Sequence, residues 1–215
     1  MSNPKSKPGA SDAEVIAMLR RYHCPTPFHE VRTRFLGNIA TPLTASPLEV
    51  VKRLWGGELP EFDKMDDVNA LFGVLVAGLW NRLTTHQDGR NPFRLLRFEV
   101  APTREGALRL AQTRLDELDG FVEGLFGSAS EIHLPESAHE ALVILGELRR
   151  MFAGSLPLLQ DEAKPASAAD LKDLIQNFQK LSIIAETEMH KIVLACKRAR
   201  AGHVAAMAVT RPTLH

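Results

Sequence analysis

Residues 167–196 read SAADLKDLIQNFQKLSIIAETEMHKIVLAC. Leu171, Leu174, Ile175, Phe178, Leu181, Ala185, Met189, Ile192 and Cys196 recur there at spacings of three and four. That period is the stripe of an amphipathic α-helix of about seven turns. Ser167-Ala-Ala-Asp170 supplies its cap, and Gly202 marks its expected end, giving a terminal helix over 167–201. A period-two alternation, the mark of a half-buried strand, is almost absent from the chain.

Upstream the same period recurs. Ser11-Asp-Ala-Glu14 is a capping box ahead of Val15, Met18 and Leu19. Pro25 and Pro27 break the chain before a stripe of Phe28, Val31, Phe35, Leu36 and Ile39. Ser46-Pro47 opens a short helix that Gly56-Gly57 stop. The next helix, with Asp63 or Asp66 as its expected cap, is apolar around most of its circumference from Leu71 to Trp80 and is placed at the centre of the core. Gly73 and Gly78 within it leave room for close approach of a neighbour. Thr84 to Pro102 is expected to be a loop with one brief strand or turn near Phe93 to Val100. A long helix follows from Thr103 or Glu105 to Gly127, then another from Glu136 to Gly154, and 156–166 reads as a linker. The expectation is an all-α, irregular bundle of about seven helices. One helical domain over 11–202 is expected, flanked by flexible tails at 1–10 and 203–215.

Composition bounds the function. The 215 residues hold 26 Lys plus Arg and 26 Asp plus Glu, a formal charge of zero, which argues against a general binder of nucleic acid or anionic membrane. Two cysteines, Cys24 and Cys196, form no CxxC pair, which excludes a cysteine-rich zinc module and suits a reducing, cytoplasmic setting. No apolar run approaches the ~20 residues of a membrane span, and residues 1–10 lack the apolar core of a signal peptide.

The catalytic inventory is thin. HExxH, GxSxG, P-loop and GxGxxG patterns are absent, so no catalytic residue is assigned and no cofactor is called for. Cys24 follows His23, but neighbours on one chain seldom face each other; a base would have to come from His29, His86 or His139. Glu136 and His139 form an ExxH pair on one helix face, and Glu186 with His190 is spaced by four. Those four residues are the metal set of a second reading, a metal- or small-ligand-dependent enzyme inside the bundle. Lys197, Arg198 and Arg200 make the end of the last helix basic; helix-dipole complementation explains them, and contact with RNA or an acidic partner is the rival explanation. Trp55, at a helix end, either lids the core or anchors a partner.

Phe35-Leu36-Gly37, the segment Leu54-Trp55-Gly56-Gly57-Glu58-Leu59-Pro60-Glu61-Phe62, Leu79-Trp80-Asn81-Arg82-Leu83 and Leu118-Asp119-Gly120-Phe121-Val122-Glu123-Gly124-Leu125 are together similar to the bacterial YecA/YgfB-like family, over roughly residues 28–152. The resemblance implies an all-α, cytoplasmic bacterial protein without assigned catalytic residues. Many longer relatives end in a cysteine-rich zinc-binding tail; residues 202–215 contain no cysteine, so zinc binding is not carried over. The leading expectation is therefore a non-enzymatic helical interaction or regulatory protein with a protein partner, and a homodimer paired through the C-terminal helix.

Overall fold

Seven helices in chain order build the fold among the described residues. The computed structural model describes residues 9–43, 46–129, 131–163 and 166–209. They are α1 (Asp12–Arg21), α2 (Phe28–Ala40), α3 (Pro47–Arg53), α4 (65–84), α5 (Arg104–Phe126), α6 (Glu136–Gln160) and α7 (Ala168–Val209). A 3-10 turn, Thr85–Gln87, follows α4, and the described residues form no strand.

Local chemistry sets several boundaries. Ser11 accepts from the Glu14 amide while the Glu14 carboxylate accepts from the Ser11 amide at 2.7 Å, and Ser167 and Asp170 repeat the exchange at the start of α7. Gly56 and Gly57 end α3 with φ of 81° and 112°, and Gly127 ends α5 at 60°.

Three boundaries and the interior of one helix differ from the sequence expectation. Lys64, with no side-chain cap, occupies the position expected for Asp63 or Asp66, and Asp66 lies in the first turn. The middle of α4, Gly73–Trp80, is π-helical between α-helical Met65–Phe72 and Asn81–Thr84. Leu71, Leu75, Leu79 and Leu83 are all buried there. A four-residue repeat drifts by about 40° per step in an α-helix, and the wider turn reduces that drift. Helix α6 does not stop at Gly154 but runs through Pro157 to Gln160, because Leu159 packs into the core. Helix α7 likewise continues through Gly202 to Val209, so the tail expected from 203 begins as helix; 210–215 and 1–8 lie outside the described residues.

The core is one cluster to which every helix contributes. Its tightest crossing joins α2 to α5. A methyl group on Gly37 would lie 2.2 Å from the Phe121 carbonyl oxygen, and one on Gly124 would lie 2.1 Å from that of Arg34. Backbones this close leave no volume for a side chain. Arg34 ties the same crossing with an ion pair to Glu123 while also pairing with Glu30 one turn back on α2, and His29 meets Asp116 at 3.1 Å. Gly78 admits Ala10, the segment before α1, whereas Gly73 faces open space. Helix α6 lies against both α5 and α7, with the Phe152 and Phe178 rings 5.3 Å apart. The basic end of α7 crosses the end of α2, where Arg200 donates to the carbonyls of Ala40 at 2.9 Å and Thr41 at 2.5 Å. A cation there satisfies the free carbonyls of a helix C-terminus.

Candidate functional site

The most concentrated polar chemistry surrounds the extended segment 93–98, between α5 and α7. Phe93 and Leu95 are fully buried, which anchors a stretch that has no strand partner. A buried backbone needs acceptors and donors for its polar groups. Carboxylates supply the acceptors: the Leu95 amide donates to Glu186 at 3.0 Å and the Leu96 amide to Glu117 at 2.7 Å. Arg114 supplies the donor, reaching the Leu96 carbonyl at 2.7 Å. Its Nε donates to Ser182 at 2.8 Å, and it also pairs with Glu117 one turn along α5. The segment is therefore held by side chains of three helices, Arg32 of α2 donating to the Arg94 carbonyl at 2.9 Å, where a neighbouring strand would otherwise be required.

Glu117 and Arg114 are buried together. Burial pushes the Glu117 carboxyl up, and the Arg114 guanidinium and Leu96 amide oppose that rise. Glu186 is only 1% exposed and accepts from two guanidiniums, Arg94 at 2.8 Å and Arg97 at 2.6 Å. Phe98 carries Arg109 over its ring at 4.8 Å.

The four metal candidates of the sequence do not come together. Glu136 and His139 are exposed on the first turn of α6. Glu186 is occupied by Arg94, Arg97 and the Leu95 amide. His190 has both ring nitrogens buried without a hydrogen-bond partner. Among the described residues no three His, Cys, Asp or Glu side chains are grouped as a metal ion would need.

Trp55 is half-buried against the core, and its indole donates to the Tyr22 carbonyl at 2.8 Å. Lys197 donates to the Gln87 carbonyl at 3.0 Å, Arg200 serves the end of α2, and Arg198 is exposed. Cys24 donates to the Leu54 carbonyl at 3.5 Å, and burial pushes its thiol up, the opposite of what a thiolate nucleophile requires. An open groove of about 670 Å³ lies between the start of α5 and the end of α6, walled by Leu108, Leu159 and the stems of Arg104 and Arg109.

His86 carries a pH-dependent contribution. Its Nδ1 donates to the Asn91 carbonyl at 2.9 Å, which fixes the tautomer because a carbonyl only accepts. Desolvation lowers its affinity for a proton below the ordinary 6.5, against the opposing pull of the Asn91 carbonyl, and Arg32, His190 and Arg82 act in the same direction as burial. The unfolded chain thus binds this proton more readily than the folded one. Stability from this group is complete above about pH 6.5 and falls as the pH drops below it. His86→Asn, which keeps an N–H near Nδ1, is expected to flatten the fall of the melting temperature between about pH 7 and pH 5.5, read by thermal unfolding in matched buffers. An unchanged slope would rule His86 out as its source.

The residue pattern does not single out Arg94, Arg97, Arg114 or Ser182 as site residues, and it groups Glu117 with Asp116 and Asp119 on a solvated helix face, whereas Glu117 is fully buried. A signal was there: Glu117 and Glu186 stand within the apolar stripes of their helices, beside Leu118 and Ala185. A carboxylate on a core face requires a buried partner. No protein-family model matches the chain, and no curated protein or solved structure is significantly similar to it. What the geometry defines is a class: an all-α bundle with a carboxylate–arginine network inside it. No helix among the described residues is long and apolar enough to cross a membrane.

Proposed function

We propose that the chain is a non-enzymatic helical interaction protein whose α6–α7 hairpin receives a protein partner, a second copy of the chain included. The carrying observation is a row on α6: Ile144, Met151 and Leu158 are spaced by seven residues and are 38%, 54% and 56% exposed. Residues seven apart stay within about 20° of one another around a helix, so the three form one stripe. Ile184 on α7 is exposed too. Apolar side chains in such a row favour association, since burying each fully contributes about 1.5–3 kcal/mol. The polar network supports the same reading, because its two carboxylates, Glu117 and Glu186, are occupied in holding the segment 93–98. Membership of the YecA/YgfB-like family and a cytoplasmic bacterial setting belong to this reading on the resemblance of residues 28–152.

A photo-crosslinking residue at Met151 tests it in the source cell. One discrete protein adduct is expected, either a second copy or a single partner, lost on Ile144→Glu. Absence of any adduct from positions 144, 151 and 184 would sink the proposal.

A further inference from the structure

We propose that Arg94 and Arg97 form a second docking site, for an acidic peptide segment of a partner protein. The two guanidiniums share one buried carboxylate: Arg94 meets Oε2 of Glu186 at 2.8 Å and Arg97 meets Oε1 at 2.6 Å. One guanidinium would suffice to neutralise Glu186. Arg32, which donates to the Arg94 carbonyl at 2.9 Å, adds a further cation, and the guanidiniums of Arg94, Arg97 and Arg114 themselves outnumber by one the carboxylates they meet, those of Glu117 and Glu186.

That charge faces water. Arg114 is buried, while the side chains of Arg94 and Arg97 are 60% and 54% exposed. A guanidinium has five N–H donors, and each of these two uses one on Glu186. The remaining donors are held in place by the anchored ends of both side chains, so an incoming carboxylate finds them already oriented and little side-chain freedom is lost on pairing. Glu99, two residues beyond Arg97, is exposed and pairs with neither arginine. Ile183, one turn before Glu186 on α7, adds an exposed apolar contact beside the pair.

The chemistry favours a peptide over a nucleic acid. Polyphosphate binding requires many neutralised phosphates, and this chain has no overall positive charge. Two fixed guanidiniums instead match two carboxylates of one acidic stretch. The site is separate from the apolar row, which lies on α6; on α7, Ile184 and Glu186 lie about 160° apart around the helix. Either surface therefore stands or falls without the other.

The full chain is titrated against a fluorescein-labelled hexaglutamate peptide by anisotropy at low salt. Saturable binding is expected that weakens as salt screens the pair, with at least about a tenfold loss in Arg94→Gln and in Arg97→Gln. Either variant leaves one guanidinium on Glu186, and the melting temperature reports that the fold is kept. Arg150→Gln, at an arginine 67% exposed and paired only with Glu147, is expected to bind like the parent. No binding, an equal loss in Arg150→Gln, or tighter binding of a polyuridylate of the same charge would overturn the proposal.

Discussion

Replacing Gly124 by alanine is expected to destabilise the protein by about 3 kcal/mol and to lower its melting temperature by about 6–12 °C. The added methyl group would sit 2.1 Å from the Arg34 carbonyl oxygen and 2.9 Å from its carbon, both of them backbone atoms that no rotamer change can move. Helices α2 and α5 must separate to admit it, and that opens contacts of Phe35, Leu36, Phe121 and Leu125, all fully buried. Gly37→Ala meets Phe121 oxygen at 2.2 Å and the Leu125 nitrogen at 2.7 Å, so it is expected to act alike. The double variant should lose less than the sum of the two, since both force apart one crossing. Gly146, within α6, has nothing within 4 Å of the position of a Cβ. Alanine there is expected to stabilise by about 0.5–1 kcal/mol, through helix propensity and reduced freedom of the unfolded chain. Urea unfolding of the four variants checks the set; equal effects at Gly124 and Gly146 would mean that the crossing is not the cause.

Arg114→Met is expected to lower stability by about 3–5 kcal/mol, the range for a buried ion pair that loses one member. Glu117, fully buried, would keep only the Leu96 amide at 2.7 Å, and the Leu96 carbonyl would lose its donor. Ser182 would still donate to the Phe178 carbonyl, so α7 keeps its local bond. Glu117→Leu leaves the guanidinium unpaired and is expected to be similarly severe. The double variant Arg114→Met/Glu117→Leu should recover a large part of the loss, because no lone buried charge remains and the apolar side chains have similar volume. A double-mutant cycle from urea unfolding at pH 7 measures the coupling. Additive losses would show that Arg114 and Glu117 act on the segment 93–98 independently.

Much of the fold was legible in the order of residues. Capping pairs such as Ser11 with Glu14 and Ser167 with Asp170, and stops such as Gly56-Gly57 and Gly127, act within one turn of chain. They follow from short-range hydrogen bonding and from the backbone freedom of glycine, so they can be read without a neighbour in view. Gly154, Pro157 and Gly202 misled because the same residue types end a helix or continue it according to what lies beside them. Leu159 packing outweighs a proline that removes one helical hydrogen bond.

The sequence by itself determined an all-α chain of about seven helices, their approximate limits and the absence of a net charge. Only the tertiary structure decided which polar residues meet. Glu117 and Glu186 are separated by 69 positions, yet both reach the backbone of segment 93–98, one from α5 and one from α7. Spacing along a helix fixes which side chains share a face, but helix packing fixes what that face encounters. For that reason Glu186, a metal candidate by its spacing from His190, is instead the anchor of Arg94 and Arg97. The basic residues at the end of α7 likewise meet their carbonyl acceptors on α2 and on the turn at Gln87, which no local pattern names.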